Sequence, residues 1–223
     1  MGDIRKEEYF KKDTIIKEGE NFLEQIFPFR KKSRLSPDMK RSALLILDMQ
    51  EFFLNKESHA FIPSADAIIP NLIKLQKFFL KFKRPVIFTR HINSEKNSGQ
   101  MGTWWRDILK EEDPLSALSK KFSLKDSLIL KKTQYNAFYE TELEEILKNY
   151  KTEQILIGGV MTHLCCETTA REAFVRGFDV FFGIDFTATY SRDFHKATLL
   201  NLAHGFAVPV LSSEFLNKKN INV

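Results

Sequence analysis

Gln154-Ile155-Leu156-Ile157-Gly158-Gly159-Val160-Met161-Thr162-His163-Leu164-Cys165 is the stretch whose reading decides the fold. An apolar run breaks at a Gly-Gly pair, and an apolar-periodic helix follows from Cys165 to Arg176, with Gly177 as its C-terminal cap. Short apolar runs of this kind read as buried parallel strands. Two more lie upstream: Ala43-Leu44-Leu45-Ile46-Leu47, ending in Asp48-Met49-Gln50, and Ser127-Leu128-Ile129-Leu130, ending in Lys131-Lys132. Ligands of open α/β sheets bind outside the carboxyl ends of the strands. Asp48, Lys132 and Cys165, one at each strand end, are therefore expected to converge as a carboxylate, an ammonium and a thiol.

Outward from these runs, strand-like and helix-like patterns alternate. A helix is expected over Asp66 to Phe82, a strand at Val86 to Thr89, and a helix near Trp104 to Lys110. Downstream come a helix over Thr141 to Leu147, a strand at Val180 to Ile184, a helix over Phe194 to Ala203 and a last strand from Phe206 to Leu211. Such alternation implies α/β architecture with a parallel sheet covered on both faces. Residues 1–41 carry a helical pattern around Phe22-Leu23 and Ile26-Phe27 and read as an N-terminal extension packing on the core or on a neighbouring subunit. Residues 42–223 read as one domain, since 223 residues at 43% hydrophobic content suffice for a single sizeable core.

The only cysteines are the neighbours Cys165 and Cys166, without zinc spacing or a disulfide framework. They read as reduced thiols, and with no signal-like or membrane-spanning apolar run the expected location is cytoplasmic. Net charge is +5, but 34 basic residues are interspersed with 29 acidic ones. Solvated lysines and arginines explain this without nucleic acid. The densest clusters, Arg30-Lys31-Lys32 with Arg34 and Lys218-Lys219, are short.

Thr162 is placed as N-cap of the helix bearing Cys165, where exposed backbone N–H groups would lower the thiol pKa. A buried core cysteine is the bland alternative, and Cys166 keeps it. Asp48 is expected at the sheet edge, partly buried and sensitive to its neighbours. Strand alternation sends Lys131 and Lys132 to opposite faces, so at most one reaches the site. Trp104-Trp105 read equally as core or as a wall enclosing a small planar substrate. His59, His91, His163, His195 and His204 show no metal-ligand spacing.

Three motifs, LLILDMQEFF, KTQYNAF and GGVMTHLCCETTAREAFVRGF, in this order and spacing, resemble the isochorismatase-like cysteine hydrolase family over about residues 42 to 211. The resemblance implies a Rossmann-like three-layer α/β/α sandwich with a six-stranded parallel sheet. It implies a triad of Asp48, Lys132 and Cys165, with Lys132 chosen over Lys131 by its distance from Phe138. It also implies a non-proline cis peptide at Val160-Met161 and an oxyanion hole from the Met161 and Cys165 N–H groups. The expected substrate-binding residues are Gln50, His91, Trp104, Trp105, Tyr135, Phe138, Thr162 and His163.

Metal-dependent nicotinamidases have an Asp-x-His pair where this chain has His91-Ile92-Asn93, which argues against a metal and against nicotinamidase itself, and no cofactor is expected. The implied activity is hydrolysis of a small amide or related carbonyl compound through a thioester. Isochorismatase, cleaving a vinyl ether by acid catalysis from Asp48, is the alternative, and a silent scaffold keeping the fold is a third reading that the intact triad disfavours. The N-terminal arm and the 21 phenylalanines suggest a homo-oligomer.

Overall fold

The computed structural model describes residues 5–30, 36–105 and 107–216. Lys31, Lys32, Arg34, Lys218 and Lys219, named in the basic clusters, lie outside the described residues. Six strands, β1 (Ser42–Leu47), β2 (Val86–His91), β3 (Leu128–Lys132), β4 (Gln154–Val160), β5 (Asp179–Ala188) and β6 (Val208–Val210), pair in parallel in the order β3-β2-β1-β4-β5-β6. The order reverses direction between β1 and β4, the kind of switch point beside which open α/β sheets bind their ligands. Every residue of β1 and β4 is buried, which is why both read as continuous apolar runs without alternation.

The helices are α1 (Ile15–Ile26), α2 (Glu51–Leu54), α3 (Ala65–Lys81), α4 (Met101–Trp104), α5 (Leu143–Asn149), α6 (Glu167–Val175), α7 (Arg192–Gly205) and α8 (Ser212–Leu216). Right-handed crossovers that run outward in opposite directions from β1 and β4 put α3 and α6 on opposite faces, giving a three-layer α/β/α sandwich. α3 packs across β1, β4 and β5 with Ile68, Leu72, Leu75 and Phe79 at helical spacing on its buried face. α6 packs on α7 and β5, and ends before Gly177, which has φ +88°.

The extension packs on its own core. α1 lies against β5 and α7 through Ile15, Gly19, Phe22 and Ile26. Gly19 permits this approach, because a Cβ there would stand 2.9 Å from the Leu211 side chain.

Several expected boundaries shift. β4 runs through the glycines to Val160, with an irregular register between Ile157 and Gly159. Gly159 has φ +107°, and a Cβ on it would meet the Leu47 carbonyl oxygen at 2.1 Å, so the ends of β1 and β4 approach this closely only with glycine. The expected helix from Trp104 to Lys110 ends at Trp104: Trp105 is extended, and the Leu109 carbonyl accepts from Asn93 N–H, tying the segment to the end of β2. β3 extends through Lys132, β5 through Ala188, and β6 is shorter than expected.

Candidate active site

Asp48 follows the last residue of β1 in a left-handed conformation, φ +52°. Its side chain is fully buried, where partial burial was expected. Thr89 on β2 clamps it: the Thr89 hydroxyl donates to Asp48 Oδ1 at 2.6 Å and accepts the Asp48 N–H at 3.0 Å. Oδ2 lies 2.9 Å from Lys132 Nζ without a well-aligned hydrogen bond. Burial opposes ionisation of this carboxyl, but Lys132 and the hydrogen bonds around it hold its pKa below the usual carboxylate value.

Lys132 stands two strands away from Asp48, so a four-carbon stem is needed to cross the end of β2. Alternation along β3 turns Lys131 outward to Glu111 and buries Lys132. Its ammonium meets Asp48 Oδ2, the Gln134 carbonyl at 3.0 Å, His91 Nδ1 at 3.3 Å and Cys165 Sγ at 3.4 Å. Gln134 O, His91 Nδ1 and the sulfur take its three N–H groups, and Asp48 Oδ2 is held as an ion pair without an aligned hydrogen bond. Burial opposes the charge on Lys132, yet Asp48 and Cys165 raise its pKa.

His91 is held neutral. Asn93 Nδ2 donates to the Thr133 carbonyl, leaving Oδ1 to accept from His91 Nε2–H at 2.7 Å, so Nδ1 carries the lone pair facing Lys132. Burial and Lys132 push its pKa down to about 4. Neither ring nitrogen has a lone pair free for a metal ion, and among the described residues no cluster of three His, Cys, Asp or Glu side chains could hold one. These residues do not fit the metal site of metal-dependent nicotinamidases.

Cys165 sits in a π-type turn, Thr162–Cys166, after a cis Val160–Met161 peptide bond. Regular helix begins at Glu167, downstream of the cysteine, so the expected first-turn advantage is weakened. Burial and the Asp48 carboxylate, opposed by Lys132, push the thiol up to about 12, the reverse of the expected lowering. The free site thus holds a neutral thiol beside an ion pair. Among the described residues, neither the Met161 nor the Cys165 N–H donates a hydrogen bond to a group outside this turn.

The expected substrate-binding residues divide. Trp105 Nε1 donates to the Tyr135 hydroxyl at 2.6 Å, and burial raises the Tyr135 pKa. His163 stacks on Phe194 at 4.3 Å and bonds Thr189 through Nδ1, and burial lowers its pKa to about 4.

Four residues are placed otherwise. Gln50 spends its amide on the backbone: Oε1 accepts from His91 N–H while Nε2 donates to the His91 and Ser116 carbonyls. The Phe138 ring lies by Phe178 and under Arg176, beyond the far end of α6 from Cys165. Trp104 is 64% exposed. The buried Thr162 hydroxyl makes no helix cap and instead meets His195 Nδ1. Sequence reasoning misses Thr89, Tyr9 and His195 as neighbours of the site; their contacts are long-range and leave no local motif.

A six-stranded parallel sheet with a buried carboxylate, ammonium and thiol at the carboxyl ends of its strands defines a doubly wound α/β protein with a cysteine among its buried charges. The isochorismatase domain model matches residues 42–214. Nicotinamidase 3 of Arabidopsis thaliana is 38% identical over 177 residues, 77% of this chain and 85% of that protein. Enterobactin synthase component B of Escherichia coli K12 is 28% identical, and the chain spans 63% of its length. A cysteine hydrolase from Pseudomonas syringae pv. phaseolicola superposes with TM-score 0.78 at 24% identity, over 81% of this chain and 93% of that one. The chain belongs to the isochorismatase-like cysteine hydrolase family. The likeness to Nicotinamidase 3 runs against excluding that activity from the His91-Ile92-Asn93 departure alone.

Proposed function

We propose that the protein hydrolyses a small carboxamide through a thioester on Cys165, with Asp48 as proton acceptor and donor and Lys132 as electrostatic partner. The observation that carries this reading is the Lys132 ammonium between the Asp48 carboxylate and the Cys165 sulfur. As Sγ attacks the carbonyl carbon, its proton passes to Asp48, and the Lys132 N–H already directed at the sulfur stays on it as the C–S bond forms. The tetrahedral oxyanion takes the Met161 and Cys165 N–H groups, neither of which donates to a group outside the turn among the described residues. Collapse breaks the C–N bond, and the leaving amine takes the proton from Asp48. Water then attacks the thioester, Asp48 accepts its proton, and the acid leaves as Cys165 recovers its thiol.

Trp105, Tyr135 and the His163–Phe194 stack suit a planar substrate. Nicotinamide is the first compound to try, given the relative of that specificity. The vinyl-ether alternative has relatives named isochorismatase in its favour, but acid catalysis needs a protonated Asp48. Lys132 holds that carboxyl ionised, so the thiol reading is preferred.

The test is mass spectrometry of protein quenched during turnover of nicotinamide, where an adduct of the acyl mass on Cys165 is expected. Turnover by the Cys165→Ala protein at the wild-type rate would falsify the mechanism. Two free cysteines fit a reducing cytoplasm. A homo-oligomer is proposed on exposed Phe27, Phe174 and Val175, while Phe10 and Phe22 of the arm are buried on their own core; sedimentation as a monomer at micromolar concentration would overturn it.

A further inference from the structure

The turn carrying Cys165 is held from below by the N-terminal arm. Tyr9 Oη and Thr162 Oγ1 each lie 3.1 Å from His195 Nδ1, and Tyr9 Oη also accepts the Thr189 N–H at 3.0 Å. His195 Nε2 faces the Ile184 carbonyl at 3.1 Å, which can only accept, so Nε2 carries the proton and the two hydroxyls converge on the single lone pair of Nδ1. All three side chains are buried. The His195 ring is fixed by arm residues on its faces and edges, with Tyr9, Phe10 and Phe22 at 5.3, 5.3 and 4.8 Å.

The arm is itself tied at both flanks of the sheet's carboxyl edge. Glu7 N–H donates to the Tyr190 carbonyl beyond β5, and its carboxylate accepts the Arg192 N–H at the start of α7. Across the edge, Phe10 N–H donates to Ser64 Oγ before α3. Residues 7–10 thus bridge the loop after β5 and the segment before α3, and Tyr9 meets His195, which meets the first residue of the turn that carries Cys165.

We propose that Tyr9 and His195 are positioning residues, through which the N-terminal arm sets the placement of Thr162 and so of the Met161 N–H and Cys165 that flank it. Neither touches substrate. Thr162 begins the turn that ends at Cys166, and the Cys166 N–H closes back on the Met161 carbonyl at 3.2 Å, so a shift at Thr162 moves the peptide and the sulfur together. The inference rests on the thiol-hydrolase reading, because it assigns the arm a part in that reaction.

The test compares full-length wild-type protein with Tyr9→Phe, Thr162→Val, Thr162→Ser and the Tyr9→Phe/Thr162→Val double variant. Readouts are kcat and KM for nicotinamide and the rate of Cys165 alkylation by iodoacetamide. Tyr9→Phe and Thr162→Val are each expected to lower kcat on the order of tenfold to hundredfold, with KM within about twofold, since small misplacements of reacting groups act on the transition state. Both should slow alkylation.

The double variant should lose little more than either single one, because the two hydroxyls act on one element. Thr162→Ser should restore the rate. Ile26→Ala, which trims arm packing elsewhere, should lower Tm and leave kcat unchanged. Wild-type kcat and alkylation in Tyr9→Phe, or losses that multiply in the double variant, would overturn the inference while sparing the nucleophile assignment. A wild-type protein inert to both nicotinamide and iodoacetamide at Cys165 overturns the functional reading and this inference with it.

Discussion

On one side of the turn Thr162–Cys166, Asp48 and Lys132 carry formal charges in full burial; on the other, Tyr9, His195 and Thr162 carry none. The charged side is over-supplied with acceptors and holds an oxygen without an aligned hydrogen bond. The neutral side satisfies its ring nitrogens by carbonyl and hydroxyl. Buried polar groups with their partners made are stable scaffolding. A buried ion pair with an unmet lone pair is costly for stability and useful for moving a proton. The contrast separates the part of the site that reacts from the part that holds it still.

The largest test of that contrast is loss of turnover on the charged side. Cys165→Ala and Asp48→Asn are each expected to reduce kcat by about 10⁴-fold in steady-state assays, and together little further, because they act as a unit. Should Cys165→Ala keep turnover of isochorismate while Asp48→Asn loses it, the chemistry is acid cleavage of a vinyl ether, and the contrast survives with its roles reassigned.

Stability comes next. Lys132→Met leaves the Asp48 carboxylate buried and uncompensated, for a loss of about 3–5 kcal/mol in urea unfolding, and adding Asp48→Asn should recover most of it. Tyr9→Phe on the neutral side strands only the Thr189 N–H, for about 1–3 kcal/mol. Equal losses from the two single variants would erase the distinction.

The two sides also part with pH. Burial lowers His195 to about 3, and His91 and His163 to about 4, against about 6.5 unfolded. As pH falls from about 6.5 toward 4 the unfolded chain takes up a proton at each site and the folded chain does not, so stability falls. Asp48, with its folded pKa lowered, contributes stability that is present above its unfolded value of about 3.9 and lost only as pH falls through the lower folded one. His195→Gln should therefore remove about one proton from the slope of urea midpoint against pH between 4 and 6. On the alkaline side the unfolded Cys165 thiol ionises first, so stability declines above pH 9.0 toward about 12, a decline that Cys165→Ala should reduce.

How much of this the sequence discloses follows the range of the interactions. Strand ends mark Asp48 and Cys165 because each stands next to a continuous apolar run, and the sheet's parallel order follows from alternation. The sulfur's raised pKa is invisible there, since it depends on Asp48, 117 positions away in the chain, as well as on local helix geometry. The same holds for Gln50, whose partners His91 and Ser116 are backbone groups of other segments, and for Tyr9, which finds Thr189 and His195 only after folding. Phe138 is misplaced for a different reason: a motif position carries no direction, and its ring turns to Phe178.

Lys131 and Lys132 offer the smallest expected effect and the sharpest local control. They are adjacent, chemically identical, and separated only by the pleat of β3, which exposes one and buries the other. Lys131 pairs with Glu111, both more than half exposed, so water and salt screen the pair and it contributes little. Lys131→Ala should leave kcat within about twofold and shift the urea midpoint slightly, and added salt should erase even that shift. A loss of activity comparable to that of Lys132→Met would mean that the strand presents the other lysine to Asp48, and the charged half of the comparison would have to be rebuilt around a one-residue change of register.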